Sequence, residues 1–266
     1  MGVIPLSPTD LALASFLILA LAWMSYRLHL GLEKRILISA LRTTVQLLLI
    51  GFVLRIVFDL AHPAWIALMA FIMLMAAGRE VLARQKRRFK GWQGFGLGVT
   101  AMFTSSFTIT LFALSAVIKI EPWYTPQYAI PLLGMLLGNT MNGISICLDR
   151  LTNTAWQQRA VIEQRLMLGQ TSVEALLDIR RDSMRAGMIP IINSMAGAGL
   201  VSLPGMMTGQ ILGGNSPIDA VKYQILIMFL IAAGTGFGVM IALRLASRRL
   251  FDERHRLRLD CLVSKK

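Results

Sequence analysis

Four clusters of basic residues, separated by long uncharged apolar runs, constrain the fold of this chain more than any other feature. Twenty-three of its 27 Lys and Arg residues fall at 27–35, 79–90, 150–185 and 244–266. Only Lys119 and Lys222 occupy the alternate connections, while Arg42 and Arg55 lie inside an apolar segment. A polytopic membrane protein produces this alternation when its basic loops are held on the cytoplasmic side. The pattern supplies class, orientation and helix number, and leaves open what crosses the membrane.

A spanning helix needs about 20 mostly apolar residues. Seven segments qualify, near 9–26, 36–58, 63–79, 94–118 and 127–148, within 187–213 and within 220–244. The expected fold is therefore an all-α integral membrane protein, a single transmembrane domain over 1–266. Seven crossings put the N-terminus outside and the C-terminus in the cytoplasm. Thr9 and Asp10 are the expected N-caps of the first span, which positive charge follows instead of preceding, unlike a cleaved signal peptide. Composition agrees: 55% apolar and 15% charged residues with a mean hydropathy of +0.62 make lipid the main solvent. The net charge of +13 could suggest nucleic acid. The basic clusters are instead spaced by membrane-length runs, so attraction to anionic lipid headgroups accounts for them and nucleic-acid binding is excluded.

The outer connections at 59–63, 119–126 and 213–219 are too short for an external domain. The one sizeable soluble segment is the cytoplasmic stretch 149–187. It reads as two short helices, each opened by a capping box, Thr154 with Gln157 and Thr171 with Glu174. Val173, Leu176, Leu177 and Met184 form the apolar side of the second, and Asp178, Arg181, Asp182 and Arg185 the polar side. Such pieces either rest on lipid or present themselves to a partner.

Polar groups inside hydrocarbon are costly unless they face the bundle interior or a wet cavity. Asn139 and Asn142 share one face of the fifth segment, Arg42 and Gln46 one face of the second, and Asn193 and Gln210 lie in the sixth. These six are the candidate translocation path. Interhelical hydrogen bonding is the competing reading for all of them, and Arg42 can also snorkel to the inner surface. The sixth segment carries Pro190 and Pro204, and Gly205, Gly209 and Gly213 form a G-x-x-x-G-x-x-x-G face. Those residues suit a packing or dimer seam, or a broken helix centred on Pro204 and Gly205.

Catalytic motifs are absent. No Walker A pattern occurs, and His29, His62, His255, Cys147 and Cys261 are too scattered to suggest a metal site, so metal ligation is left unassigned. Sixteen methionines could serve a soft metal but suit flexible packing better. No carboxylate lies clearly at mid-depth for proton coupling, which favours a separate ATPase as the energy source.

Several strings resemble a known family. They are Leu32-Glu33-Lys34-Arg35 with Arg42, Gln46 and Gly51, then Gly138-Asn139-Thr140-Met141-Asn142-Gly143-Ile144-Ser145 leading to Leu148-Asp149-Arg150-Leu151. Further on come Glu174-Ala175-Leu176, Leu203-Pro204-Gly205-Met206-Met207-Thr208-Gly209-Gln210-Ile211-Leu212-Gly213-Gly214, and Ala220-Val221-Lys222-Tyr223-Gln224-Ile225. Across nearly its whole length the chain resembles the FetB (YbbM) family of ABC transporter permeases, which includes bacterial iron exporters and plant half-transporters. The resemblance implies a multi-pass subunit of the bacterial inner membrane, paired as a homodimer with a FetA-like cytoplasmic ATPase. ATP and Mg would be bound in that partner and no cofactor in this chain. It also implies export of iron or a related metal. Glu174-Ala175 matches the importer-permease pattern Glu-Ala-Ala-x-x-x-Gly, but Leu176 and Arg180 replace its Ala and Gly. Glu174, Arg180 and Arg181 are thus expected at a coupling surface without importer geometry. A membrane scaffold recruiting a cytoplasmic enzyme and a gradient-driven transporter are the alternative functions.

Overall fold

A computed structural model describes residues 7–60 and 62–264. Helices dominate, as the charge alternation predicts, and among the described residues six are long and apolar enough to cross a membrane. The first, α1 (Pro8–Arg27), is capped two to three residues earlier than expected. Ser7 is the N-cap, and Asp10 at N3 accepts the Ser7 N–H at 2.8 Å. It forms a hairpin with α2 (Glu33–Leu60), where Val57 is the one buried hydrophobic residue among those described. A helix apolar on all sides yet unburied by its own chain requires lipid or another subunit around it.

Proline at the first position starts α3 (Pro63–Arg84), α6 (Pro126–Gln157) and α11 (Pro217–Arg249), where its missing N–H costs nothing. The span Gly91–Ile118 comprises α4 (Gly91–Met102) and α5 (Thr108–Phe112), with π-helical turns at Phe103–Phe107 and Ala113–Ile118. Five of its hydroxyls are satisfied within the helix, while the buried Ser106 hydroxyl has no partner among the described residues. Thr100, Thr104, Ser105, Thr110 and Ser115 each donate to the carbonyl four residues back. Such back-bonding satisfies a hydroxyl within its own helix.

The sequence places the end of the fifth span near 148, but α6 continues to Gln157. Leu148, Leu151, Thr152 and Ala155 keep one buried face running past Thr154, so the expected capping box there does not form. At 1.5 Å per residue its 32 residues extend about 48 Å, beyond the roughly 30 Å hydrocarbon core. After α7 (Arg159–Met167), the second capping box does form. Thr171 caps α8 (Ser172–Ala175), and Glu174 accepts its N–H at 2.8 Å.

Of the two readings of segment 187–213, the structure shows the broken helix. A helix α9 (Leu177–Gly197) ends there, residues 198–204 are non-helical, and α10 (Gly205–Leu212) begins after Pro204. Gly199 takes a left-handed φ of +84°, which an L side chain rarely adopts, and Pro204 cannot continue a helix from its N-terminal side. The G-x-x-x-G-x-x-x-G face is largely open within the chain, and the close helix approaches fall at other glycines. A Cβ on Gly205 or Gly209 would meet nothing within 4 Å, whereas Gly143, Gly187 and Gly238 are where α6, α9 and α11 approach most closely.

These three helices with α3 and α4 enclose the main core, which includes Leu97, Ile144, Leu148, Leu151 and Val239. One element lies outside an all-helical reading. Strand β1 (Arg87–Phe89) pairs antiparallel with β2 (Leu262–Ser264), with Phe89 opposite Leu262.

Candidate functional site

The α1–α2, α3–α4, α6–α9 and post-α11 connections carry the four basic clusters and lie at one end of the bundle, here termed the basic end. A cavity of about 790 Å³ opens there between α3, α6 and α9. Arg84 lines it from α3, Asn142, Asp149 and Arg150 from α6, and Asp182 and Arg185 from α9. Each position follows from helical spacing: Asn142 and Asp149 are two turns apart, and Asp182 and Arg185 one. Asp149 also accepts the Lys86 N–H at 2.7 Å, tying α6 to the turn after α3. Asp182 and Arg185 pair at 3.7 Å along the α9 wall.

A chain of charged groups links this cavity to α2. Arg42 donates to Glu80 at 2.5 Å, Arg84 Nε lies 3.8 Å from the other Glu80 oxygen, and Arg84 also donates to the Asn142 side-chain oxygen. The structure thus joins two of the six candidate path residues, Arg42 and Asn142, through two that sequence reasoning missed, Glu80 and Arg84. The signal was present as Glu–Arg spacing at i,i+4 within a cluster that reads as merely basic.

The other four candidates lie apart from this chain of contacts. Gln46 is exposed on α2, and Asn193 is exposed on α9. Asn139 donates to the Met135 carbonyl of its own helix at 2.9 Å. Gln210 lines a separate cavity of about 170 Å³ with Gln127, Tyr128, Asn215 and Tyr223, at the opposite end of the bundle. Along α6 and α9, the buried residues Leu136 and Ile191 lie between the two cavities, packed with Leu230 and Ile231 of α11. The bundle is therefore open at its basic end and closed by an apolar septum above. Pro190 lines the open mouth without ending α9.

The mouth mixes guanidinium, carboxylate and carboxamide groups, a lining suited to a hydrated or complexed ion. Among the described residues, no group of three or more His, Cys, Asp and Glu converges to hold a bare metal.

Beside the mouth, α7, α8 and α9 form a rigid corner. Arg165 pairs with Asp178 at 2.9 Å, while Ile162, Ala175, Leu176 and Ile179 are buried beneath it. Outward from this anchor, Met167, Leu168 and Val173 are exposed, and so are Glu174 and Arg181. Arg180 is half-buried. Exposed apolar residues rimmed by charge mark a contact surface. Leu176, expected on an outward apolar face, anchors the corner from inside.

The Thr171 N–H and then its hydroxyl hold the Glu174 carboxyl below the usual carboxylate range. A lowered folded value means that Glu174 stabilises the cap fully above the ordinary carboxylate pKa. That contribution is lost as pH falls through the folded value. Amide exchange at Thr171 should therefore accelerate only as pH drops through that acidic window. Exchange that tracked intrinsic chemistry alone would remove the capping role.

Comparison with known proteins gives a consistent set of relatives. Residues 8–251 match the family model described as "Uncharacterised protein family (UPF0014)". A UPF0014 membrane protein of Synechocystis sp. is 38% identical over 86% of this chain and 87% of its own. The Escherichia coli "Probable iron export permease protein FetB" is 33% identical over 93% of both chains. Protein ALUMINUM SENSITIVE 3 of Arabidopsis thaliana is 34% identical over 82% of this chain and 77% of its own. No solved structure matches.

Proposed function

This chain belongs to the UPF0014 family of membrane proteins, and from that premise we propose that it is the permease subunit of an ATP-driven exporter for iron or a related metal species. The observation that carries the reading is a charged vestibule at the basic end, closed above by an apolar septum and flanked by the α7–α9 corner. In this reading the basic end faces the cytoplasm. The broken segment from Gly187 to Gln210 makes a seventh pass, a discontinuous helix of the kind that lines transport paths. Cargo enters as a hydrated or complexed ion past Asp149, Asp182 and Asn142. A partner ATPase, working with two copies of this chain, grips the exposed Glu174–Arg181 corner and drives the septum open toward Gln210 and Gln127. The similarity to the "Probable iron export permease protein FetB" supports the cargo class.

Reconstituting the chain with its cognate ATPase in proteoliposomes tests this. ATP-dependent transport of iron, or of another divalent metal in a screen, is the expected result. Glu174→Lys should leave the bundle folded but disconnect hydrolysis from transport. Substrate-stimulated ATPase activity equal to wild type would sink the coupling role.

One observation keeps a second reading in play. Glu80 is a carboxylate within a membrane-length helix, and such groups serve proton relays. Gradient-driven transport would collapse with the proton gradient while ATP is held constant.

A further inference from the structure

A separate cavity of about 440 Å³ opens at the basic end where α8, α9, the end of α11 and the segment after it converge. Three guanidinium groups line it: Arg180 from α9, with Arg244 and Arg248 one turn apart on α11. None of the three forms an ion pair with a carboxylate among the described residues. Carboxylates are nevertheless at hand. Asp252 is engaged elsewhere, accepting the Arg254 and Arg256 N–H groups at 2.9 and 2.8 Å and pairing with the Arg256 guanidinium. Glu253, on the rim, is exposed.

Two buried polar atoms in the same wall are also unsatisfied. The Ser247 hydroxyl, in a residue 8% exposed, and the Arg180 Nε have no hydrogen-bond partner among the described residues. Buried polar groups are nearly always partnered, so a pair of orphans in one cavity points to an absent acceptor. Ser172, hydrogen-bonded to His255 Nδ1 at 3.0 Å, completes the opposite wall.

Guanidinium forks and a hydroxyl match the oxygens of a phosphate, which accept several charge-assisted hydrogen bonds at once. We propose that this cavity binds a phosphate-bearing anion, held by Arg180, Arg244 and Arg248 and by the Ser247 hydroxyl. The ligand would tie the α8–α9 corner to α11 and the segment after it. Its phosphate could come from an anionic lipid headgroup at the membrane surface or from soluble phosphate, and basic pockets between spanning helices suit the former.

The test uses the purified full chain. Native mass spectrometry follows retained dioleoylphosphatidylglycerol against dioleoylphosphatidylcholine, and calorimetry follows inorganic phosphate. Binding in either arm, weakened about tenfold or more by the double change Arg244→Gln and Arg248→Gln, is expected. The arm that responds identifies the source. Lys34→Gln with Arg35→Gln removes the same charge at the same end and should leave binding unchanged. Ser247→Ala, which deletes only the hydroxyl, should weaken it as well, and serves if the double variant misfolds. Silence in both arms, or an equal loss in the Lys34 and Arg35 control, would overturn the pocket in favour of diffuse charge attraction.

Discussion

Gly187→Val should destabilise the bundle by about 3 kcal/mol or more, the upper range for overpacking a close contact. A Cβ at 187 would sit 2.8 Å from the Gly143 carbonyl oxygen and 2.9 Å from the Cys147 Cβ. From the other side, a Cβ at Gly143 would sit 3.0 Å from the Gly187 carbonyl oxygen and 2.6 Å from a Thr235 methyl. Backbone cannot step aside as a flexible side chain can, so α6 and α9 must separate. That would open the core around Leu148 and Val239 and splay the wall that carries Asn142 and Arg185. Thermal unfolding in detergent is the measurement, with Gly209→Val as the comparison, since a Cβ there meets nothing within 4 Å. Equal losses at the two positions would show that helical glycines here serve no close approach.

Glu80→Gln should lower transport about tenfold, equivalent to roughly 1.4 kcal/mol, while the bundle stays folded. The side chains of Arg42 and Glu80 are 56% and 26% exposed in the isolated chain. In water such a pair would contribute about 0–1 kcal/mol. Arg42 lies on a spanning helix, however, where losing its partner leaves a cation to lipid at a cost of about 2.5–3.5 kcal/mol at mid-membrane and less near the surface. Position strengthens the case, because α2 is otherwise seated on the bundle mainly through Val57, packed with Ile66, Met69 and Ile130 at the opposite end. Exchanging the charges, with Arg42→Glu and Glu80→Arg together, separates two roles. Recovery of transport identifies a positioning ion pair. Continued loss identifies a carboxylate that the cargo or a proton needs.

The membrane class and the six unbroken helices were legible because basic clusters and apolar runs are long, local signals. The segment 187–213 was less so. Its apolar composition resembles a helix, while its conformation is decided by Gly199 and Pro204, which leave Leu200 and Val201 about nine-tenths exposed. Thr154 illustrates a local rule losing to packing, since the buried face of α6 continues through it. At the site, Asn142 and Arg42 were recognised as polar residues in apolar segments. Glu80 was hidden because a lone acid among six basic residues reads as surface charge until α2 supplies its partner. The pairing of residues 87–89 with 262–264 had no local signature.

That pairing imposes an order on assembly. The strand at 262–264 follows every long apolar helix in the chain, yet it supplies the buried Leu262 opposite Phe89, and Cys261 accepts the Lys90 N–H at 2.9 Å. Contacts so distant in the chain form slowly. The turn between α3 and α4 therefore waits through nearly all of membrane insertion with an open edge. The surface beside the basic-end cavity is thus completed only after the segment following α11 has been made, an assembly order set by chain order.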